Sequence, residues 1–562
     1  MKIISGVFPA RATALAIALA SVLPVKAVWA VEFDTGNPDI KARWDNTFKY
    51  TAGQRLKDPD QRVAASFANP NVDAGDLNLK KGLINNRLDW LTELDISAKN
   101  FGARVSAAAW YDSVYNKDST DFPASIPFPN TFGAANGGPN NRFTDPTKRV
   151  MGRKAELSDA FVWGSTDLGE GMKLSGRAGR HTLLYGETLF LGANGIAAAQ
   201  GPVDLIKAFS VPGTQFKEIG MPVGQLSGNL QINSNVSVGG YYQYEWRPLR
   251  LPATGSYFSP ADFVGDGNDL LLGPGGPANR LADQKGRDSG QFGGQVKFKI
   301  PGNDVEFGLY AARYDDKAPI PILNVTDPNG AFGAGTYRLA YAKNIKTYGA
   351  SFSTLIGETN VGGELSTRRN TPLHPVGDLV INFNNAADND QNTAYAVGNS
   401  LHANLSAITL LPATALWQGA SFVGELAFNR LLSVTRNPVN PAFPNGVLNS
   451  THTRDAWATR FVFQPEYFQV LPGMDLQVPI AVGYGISGRS AIFQVAPEHG
   501  GDVSIGLNFD YKKTWKAGLQ YTHYFGSAGP APSLDPATNT QASYKQYYAD
   551  RDFITLSIQR TF

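Results

Sequence analysis

The amino-acid sequence predicts an all-β fold, a transmembrane antiparallel β-barrel of about 18 strands. Three observations support this prediction: apolar and polar residues alternate in many short segments, glycine and aromatic residues are frequent, and the mean hydropathy is only −0.22. A hydropathy average hides barrel strands because their alternate residues cancel. Near the end of the sequence, Ile554, Leu556 and Ile558 alternate with polar residues before Phe562. We interpret Phe562 as a membrane-insertion signal.

The first 30 residues have the features of a secretory signal peptide. Lys2 and Arg11 precede an apolar stretch at residues 14–25, and small residues before Val31 offer a cleavage site. The stretch is too short to span a bilayer, and no later segment approaches the roughly 20 apolar residues that a spanning helix needs. We therefore expect residues 31–562 to form a single barrel domain in the outer membrane of a Gram-negative bacterium.

Composition excludes several kinds of site. The chain contains no cysteine, which rules out disulfides, thiolate metal sites and a lipidated cysteine anchor. Its 50 basic and 48 acidic residues give no excess of positive charge of the kind that binding to nucleic acid requires. No metal and no cofactor is implied.

Period-two alternation and turn residues set out the strands in order. Eight short turns imply sixteen strands, and one further strand at each end gives about eighteen. The clearest strands span residues 40–52, 87–99, 103–111, 236–247, 420–429 and 503–511, and Trp246 is expected to face outward. The short turns are expected at residues 100–102 and near Gly169, Ser234, Gly302, Glu358, Ala413, Pro472 and Lys513.

An even number of strands places both ends of the sheet on one side of the membrane. In this architecture that side is the periplasm, so the short turns are periplasmic and the long segments extracellular. Loops of such length usually fold over the mouth, bind a ligand or move. The long segments are residues 116–154, 248–287, 369–390, 435–450 and 526–542.

Residues 185–221 differ from the other long segments because they are mainly apolar. We expect this segment to fold into the lumen and to narrow the pore. Its apolar residues could line a path for a hydrophobic solute, since such sites are concave and mostly apolar. The alternative, that they only pack the inserted loop, is at least as well supported. The apolar candidates are Phe190, Leu191, Phe209 and Phe216.

Several short motifs carry a family resemblance. They are Tyr185-Gly186-Glu187, Gly201-Pro202-Val203-Asp204, Gln215-Phe216-Lys217-Glu218, Glu245-Trp246-Arg247-Pro248 and Gly255-Ser256-Tyr257-Phe258-Ser259. The chain resembles the proteobacterial domain of unknown function 1302 family over nearly its whole length. The resemblance implies an outer-membrane protein that accompanies a periplasmic or lipoprotein-like partner and an inner-membrane pump. The polar motif residues Glu187, Asp204, Lys217 and Glu218 join the candidate solute path.

Alternation also assigns charged residues of both signs to the inner face. Each of them has two interpretations, a cross-strand ion pair that stiffens the wall or a contact with solute, and we favour the ion pair for any single residue. A lumen of mixed sign mildly favours a neutral or amphipathic solute. Glu245 and Arg247 are stronger candidates for solute contact than the other inward charges, because they end the strand that leads into a long loop. The inward set is Lys41, Arg43, Asp45, Asp89, Glu93, Asp95, Arg104, Glu245, Arg247, Glu364 and Arg368.

An enzyme is disfavoured by the arrangement of the six histidines. None has a metal-binding spacing, and the chain has no nucleophile elbow. His402 and Ser406 would share one face of a strand about 13 Å apart, which is too far for proton transfer. We therefore predict no catalytic residues, although distant strands could still assemble a triad.

The leading hypothesis is a passive outer-membrane channel for hydrophobic or amphipathic small molecules. Its expected partners are outer-membrane lipid and such a solute. One alternative is a platform that joins a periplasmic or lipoprotein-like partner to an inner-membrane pump. A third hypothesis, a hydrolase of envelope lipids, ranks below both.

Overall fold

The computed structural model describes residues 31–562, apart from residues 65–70, 72–73, 127–128, 130, 136, 211–214, 274–275, 303, 326–334, 385 and 531–543. The predicted signal peptide, residues 1–30, lies outside the described residues. The strands are, in chain order, β1 Val31–Phe33, β2 Ile40–Arg55, β3 Gly82–Ala98, β4 Phe101–Asp112, β5 Arg153–Gly169, β6 Met172–His181, β7 Val223–Gln231, β8 Val236–Gln243, β9 Leu270–Gly273, β10 Gly276–Arg280, β11 Gln291–Lys299, β12 Glu306–Tyr314, β13 Ile320–Asn324, β14 Thr336–Ala340, β15 Ile345–Ile356, β16 Thr359–Pro372, β17 Val380–Asn382, β18 Val397–Leu411, β19 Gly419–Arg436, β20 Asp455–Leu471, β21 Met474–Gln477, β22 Ile480–Ser487, β23 Gly501–Tyr511, β24 Trp515–Phe525 and β25 Phe553–Thr561.

The helices are short and lie in the connections between strands. They are Ala74–Leu77, Phe132–Ala135, Asp145–Thr147, Leu205–Ser210 and Phe216–Ile219, with a π-helical turn at Lys148–Gly152 and 3₁₀ turns at Ile196–Ala199 and Val376–Asp378. In the described part of the chain, no helix is both long enough and apolar enough to cross a membrane.

Eighteen strand positions within the described residues form one closed antiparallel barrel. The ring closes where β2 pairs with β25, from Thr47 opposite Thr561 to Arg55 opposite Phe553. β21 and β22 share one strand position between β20 and β23, interrupted at Pro479, which has no N–H to donate to a ladder. The ring consists of β2–β8, β11, β12, β15, β16, β18–β20, β21 with β22, and β23–β25. The predicted fold and strand number are confirmed.

Alternation along the strands gives the barrel an apolar exterior. Leu309 on β12 and Leu365 on β16 are 53% and 52% exposed, whereas the adjacent Tyr310 and Glu364 are buried. A closed sheet pairs its own backbone groups, which hydrocarbon requires, and its apolar outer side chains suit lipid. The protein is therefore an outer-membrane β-barrel.

The eight predicted short turns are all present. They join β3–β4, β5–β6, β7–β8, β11–β12, β15–β16, β18–β19, β20–β21 and β23–β24. The first of them begins at Lys99, whose φ of 45° lies in the left-handed region, rather than at residues 100–102. The predicted strands are also present, with ends that differ by several residues.

β8 ends at Gln243, four residues before the predicted end at Arg247. The backbone N–H groups of Tyr244 and Glu245 both donate to the carbonyl oxygen of Gly224, so the regular ladder stops there. The prediction that Trp246 faces lipid is wrong. Its buried ring packs edge-on against Tyr341 at 4.7 Å between centroids.

A second sheet, which the sequence analysis did not predict, lies in the long connections at the mouth of the barrel. Its order is β17-β13-β14-β10-β9, with β10–β14 and β13–β17 parallel. Buried Tyr337, Leu323 and Leu379 contribute to one core of this region. The mouth is thus a packed structure built on the end of the barrel opposite the short turns.

Candidate functional site

Between β6 and β7 the chain leaves the wall and packs against its inner face. We call residues 185–221 the inserted segment. It contains the 3₁₀ turn Ile196–Ala199 and the helices Leu205–Ser210 and Phe216–Ile219. Its polar partners on β16, β18 and β19 are buried side chains that alternate with the exposed apolar residues of those strands.

Glu364 on β16 is the first anchor of the inserted segment. Its carboxylate accepts hydrogen bonds from the backbone N–H groups of Glu187 and Ile196 and from the hydroxyl of Thr188, each at 2.8 Å. The segment passes so close that a Cβ at Gly186 or Gly195 would stand 2.3 Å or 2.2 Å from the carboxylate oxygens. A side chain at either position would displace the Glu364 carboxylate from its hydrogen bonds, and at Gly186 a φ of 93° also favours glycine.

Glu425 on β19 is the second anchor. One carboxylate oxygen accepts from the backbone N–H groups of Leu189, Phe190 and Leu191 at 3.2, 2.6 and 2.8 Å. The other oxygen accepts from the side-chain amide of Asn404 at 2.7 Å. Three successive N–H groups that point at one carboxylate form a fixed anion cradle, as in a backbone nest.

Asn194 and Arg368 fasten the turn between these anchors. Arg368 on β16 donates to the carbonyl oxygens of Ala193 and Gly195, both at 2.8 Å. The amide nitrogen of Asn194 donates to Asn404 Oδ1 at 2.9 Å and to the carbonyl oxygen of Phe428 at 3.0 Å. The carboxylates of Glu364 and Glu425 thus accept hydrogen bonds from backbone N–H groups of the inserted segment, and Arg368 donates hydrogen bonds to its backbone carbonyl oxygens.

His402 and Ser406 take part in this anchoring. The ring nitrogens of His402 lie 3.1 Å from Asn194 Oδ1 and 2.8 Å from Ser400 Oγ. Ser406 donates to the carbonyl oxygen of Glu187 at 3.0 Å. Among the described residues no carboxylate is hydrogen-bonded to His402, so the third group that orients a catalytic base is not provided there.

The helix Leu205–Ser210 is held by a chain of charged groups. Asp204 Oδ1 accepts from the backbone N–H groups of Ile206 and Lys207 at 3.1 and 3.2 Å, which caps the helix start. Its other oxygen lies 2.8 Å from Arg250, and Arg250 also donates to Glu156 on β5 at 2.6 Å. The candidate residue Asp204 therefore caps the helix and is linked through Arg250 to β5, which lies across the barrel from the anchors on β16 and β19.

Phe209 extends from this helix into an aromatic group at the mouth. Its ring centroid lies 6.2 Å from that of Phe258 and 5.7 Å from that of Tyr548. A cavity of about 140 Å³ opens beside it. The side chains most relevant to solute binding in this cavity are Phe209, Arg460, Tyr524, Lys545, Tyr547 and Tyr548.

Many of the charges that were predicted to face inward form ion pairs within the wall. Arg104 bonds to Glu93 and lies 3.3 Å from Asp95. Arg180 bonds to Glu245, whose carboxylate also accepts from the backbone N–H of Gly224 at 2.7 Å. Such contacts favour the wall-stiffening role over solute contact for these groups. Further pairs that include predicted residues are Arg43–Asp45 at 2.7 Å and Arg87–Asp89 at 2.6 Å.

The apolar candidates separate into two groups. Phe190, Leu191 and Phe216 are buried. Phe190 and Leu191 pack against Ala427, and Phe216 packs in a different cluster of the inserted segment. Burial favours the packing role for these three, which leaves Phe209 as the apolar candidate beside a cavity.

The polar candidates are spread over the segment and its surroundings. The carboxylate of Glu187 lies 3.5 Å from Lys297. Lys217 and Glu218 are exposed on the helix Phe216–Ile219. Arg247 donates to the carbonyl oxygen of Pro222 at 2.9 Å. The structure therefore does not gather the ten candidate residues into one site.

Sequence reasoning did not identify Glu425 or the tyrosines around Phe209. Alternation along residues 420–429 places Glu425 on the inner face, which was a usable signal. Its partners lie 234 to 236 positions earlier in the chain, and no local pattern indicates them. Tyr547 and Tyr548 lie in the long connection between β24 and β25 at the mouth, where apolar and polar residues show no regular alternation.

Solved structures with a similar architecture include three from two bacterial species. OccAB4 of Acinetobacter baumannii has 9% identity and a TM-score of 0.42, over 93% of this chain and 98% of that one. The outer membrane channel DcaP of A. baumannii has 6% identity and a TM-score of 0.35, over 93% and 97%. OccK2 (OpdF) of Pseudomonas aeruginosa, in complex with glucuronate, has 9% identity and a TM-score of 0.36, over 93% and 98%.

Comparison with curated proteins gives no match. One protein family, described as "Protein of unknown function (DUF1302)", matches residues 9–562. The match spans nearly the whole chain and includes the barrel and the inserted segment. The chain therefore belongs to the DUF1302 family.

Proposed function

We propose that the protein is a passive outer-membrane channel for small hydrophobic or amphipathic molecules, with the inserted segment as its constriction. The observation that carries the proposal is the cavity of about 140 Å³ beside Phe209. Aromatic side chains supply most of a small ligand's contact area in such sites, and a few polar groups orient it.

The chemistry of this cavity suits a solute with one apolar and one polar end. Phe209 and Tyr548 provide ring faces and edges for an apolar group. Lys545 stands at the same cavity and donates to Ser527 at 3.2 Å, without a carboxylate partner among the described residues. Arg460 is paired with Asp502 at 2.5 Å. Lys545 is thus the group best suited to an anionic or strongly polar end.

The constriction follows from how the inserted segment is attached. Glu364 and Glu425 hold its first part to β16 and β19, while Phe209 reaches the aromatic group formed by Phe258 and Tyr548. A loop fixed at both sides of an eighteen-strand barrel reduces a lumen that would otherwise be wide enough for an aqueous channel.

The test is solute uptake by liposomes that carry the purified barrel. Sugars, amino acids and amphipathic long-chain compounds are compared for the wild type and for a variant in which residues 185–221 are replaced by a short Gly-Ser linker. Preferential uptake of amphipathic compounds by the wild type supports the channel, and gain of sugar uptake by the variant identifies the constriction.

The competing platform hypothesis gives a different result. A platform would take up none of these solutes in either form and would co-purify with a periplasmic protein. That combination would contradict the channel proposal. Folding of both proteins is checked beforehand by the heat-dependent gel mobility of a closed barrel.

A further inference from the structure

The outer face of the barrel carries a row of basic side chains near its mouth. Arg313 on β12 is directly opposite Lys346 on β15, and Lys346 is opposite Arg369 on β16. Arg436, at the end of β19, lines the same cavity as these three. Like charges at directly opposed positions of a sheet destabilise it, so the row needs a compensating partner.

Alternation shows that the row faces the membrane rather than the lumen. Arg313 is four residues from exposed Leu309 on the same strand, Lys346 is two residues from exposed Tyr348, and Arg369 is four residues from exposed Leu365. Even spacing along a strand places side chains on one face. Each basic residue therefore lies above a lipid-facing apolar residue, on the side of the barrel's mouth. We call Arg313, Lys346, Arg369 and Arg436 the basic row.

The protein itself supplies little negative charge to the basic row. Arg313 donates to Asn344 Oδ1 at 3.1 Å, and Arg436 donates to the carbonyl oxygens of Gln391 and Thr393, both at 3.2 Å. Within the described residues, the side chains of Lys346 and Arg369 make no hydrogen bond or ion pair.

Two carboxylates near the row, Asp388 and Asp390, are already engaged: Asp388, which interacts with Arg436, accepts from the backbone N–H groups of Asp390 and Asn392 at 2.8 and 2.9 Å. Asp390 accepts from Asn344 at 2.6 Å and from Gln391 at 3.1 Å. The outer wall does pair its charges elsewhere, since Arg430 on β19 lies 3.2 Å from Asp455 on β20. The excess of positive charge is therefore local to the basic row.

The row borders a cavity of about 840 Å³ that is open to the outside. Phe292 supplies an apolar side of this cavity, and the exposed side chains of Leu309 and Leu365 continue the apolar surface toward the middle of the membrane. A ligand for this place needs anionic oxygens at the level of the lipid headgroups and hydrocarbon below them. Arginine is well suited to phosphate because its planar fork donates two parallel hydrogen bonds.

We propose that the basic row and its cavity bind the phosphorylated headgroup of an outer-leaflet glycolipid, with the acyl chains against the apolar wall below. The long connections mark this end of the barrel as extracellular, where the outer leaflet lies. Charge complementarity and the apolar surface below select a lipid over a soluble phosphate ester. This site is independent of the luminal channel.

The experiment measures binding of diphosphoryl lipid A to the detergent-solubilised full-length barrel by native mass spectrometry. The test variant is Lys346→Gln with Arg369→Gln, which removes two charges that have no partner in the protein. The matched control is Arg430→Gln, which removes an outward charge on the same wall. Each basic residue near an anionic lipid surface contributes about fivefold to binding, so the test variant should bind about 30-fold more weakly and the control like the wild type.

Two further binding measurements distinguish a lipid phosphate from free inorganic phosphate. Dephosphorylated lipid A should bind about as weakly to the wild type as diphosphoryl lipid A binds to the test variant, and inorganic phosphate should fail to displace the lipid. The charge-conserving pair Lys346→Arg with Arg369→Lys should retain binding, which also controls for folding. Equal binding by wild type and test variant, or by both lipid forms, would overturn the proposal. Displacement by inorganic phosphate at equal concentration would reassign the site to a free anion.

Discussion

The carboxylate of Glu425 lies 2.6 Å from the backbone nitrogen of Phe190. The same oxygen accepts from the two neighbouring N–H groups, and Glu364 accepts three further hydrogen bonds from the inserted segment. Two wall carboxylates thereby satisfy loop N–H groups that water would otherwise have to solvate. The position of the segment is set by these charge-assisted bonds as well as by apolar packing.

Replacing Glu425 by alanine should release the first part of the inserted segment. The change leaves the N–H groups of Leu189, Phe190 and Leu191 without this acceptor, and hydrogen bonds to a charged group are worth about 1.5–3 kcal/mol each. We expect docking of the segment to weaken by about 3–5 kcal/mol and single-channel conductance in planar bilayers to rise several-fold. Glu358→Ala, in the exposed turn between β15 and β16, is the matched control. Unchanged conductance in Glu425→Ala would refute the anchoring role.

Replacing Phe209 by alanine should reduce selectivity without opening the barrel. The ring contributes edge and tilted contacts to Phe258 and Tyr548, and such aromatic contacts are worth about 1 kcal/mol beyond buried area. Uptake of amphipathic compounds relative to sugars should therefore fall about fivefold. Phe101→Ala on the outer face of β4 removes an exposed ring and should leave the ratio unchanged. An unchanged ratio in Phe209→Ala would place solute selection elsewhere.

The barrel was predictable from the sequence because each strand carries its own signal. Strand period, turn residues and the pairing of neighbours in sequence are local, so eight turns and eighteen strand positions followed from them. The inserted segment was identified by its apolar composition, but its anchors were not. Glu425 meets Phe190 across 235 positions, and the five-stranded mouth sheet includes parallel pairs between distant segments. Contacts between residues so far apart in sequence produce no periodic pattern of apolar and polar residues.

The mouth should become more stable as pH rises above 8, because of Lys317. Burial lowers the pKa of Lys317 to about 8, against the raising effect of Asp316 and Asp315. Between pH 8 and its ordinary value of 10.5 the unfolded loop binds a proton that the folded loop does not, so folding is favoured as pH increases through that range. Hydrogen exchange of residues 315–325 should slow accordingly.

The variant Lys317→Met should remove this pH dependence and stabilise the loop at pH 7 by up to about 3 kcal/mol. Exchange in the exposed Lys285→Met variant should follow the wild type at every pH. Wild-type exchange whose protection does not change between pH 8 and 10.5, after correction for the intrinsic rate, would contradict the role of Lys317.

A buried cluster of charges should make the mouth sensitive to loss of Arg551. Arg551 donates to the carbonyl oxygens of Tyr257 and Ser259 at 2.6 and 2.9 Å and lies 3.0 Å from Asp76. Asp76 is shared with Arg55 at 3.1 Å, and all three charged groups are buried. Removing one partner of a buried ion pair costs about 3–5 kcal/mol.

We therefore expect Arg551→Met to make residues 56–64 and 74–81 susceptible to protease while the barrel stays folded. Adding Asp76→Asn should restore part of the resistance, because Arg551→Met leaves two buried carboxylates, Asp76 and Asp550, to share Arg55, and the double change leaves only the Arg55–Asp550 pair at 2.9 Å. Additive damage in the double variant would show that the two side chains do not act as a pair.

Phe562 should influence barrel assembly in two separable ways. Its backbone N–H donates to the carbonyl oxygen of Asn46 at 2.8 Å, and the N–H of Asn46 donates back at 3.1 Å, so this residue completes the pairing between β25 and β2. Its ring lies 4.3 Å from the guanidinium of Arg560 and 6.1 Å from the ring of Phe48.

Phe562→Ala keeps the backbone hydrogen bonds and removes the ring, whereas Phe562→Tyr keeps both. If the ring acts as an insertion signal, Phe562→Ala should lower the amount of folded barrel in cells and still refold in liposomes, and Phe562→Tyr should behave like the wild type. Failure of Phe562→Ala in both settings would instead assign the ring to closure of the sheet, through its contacts with Arg560 and Phe48.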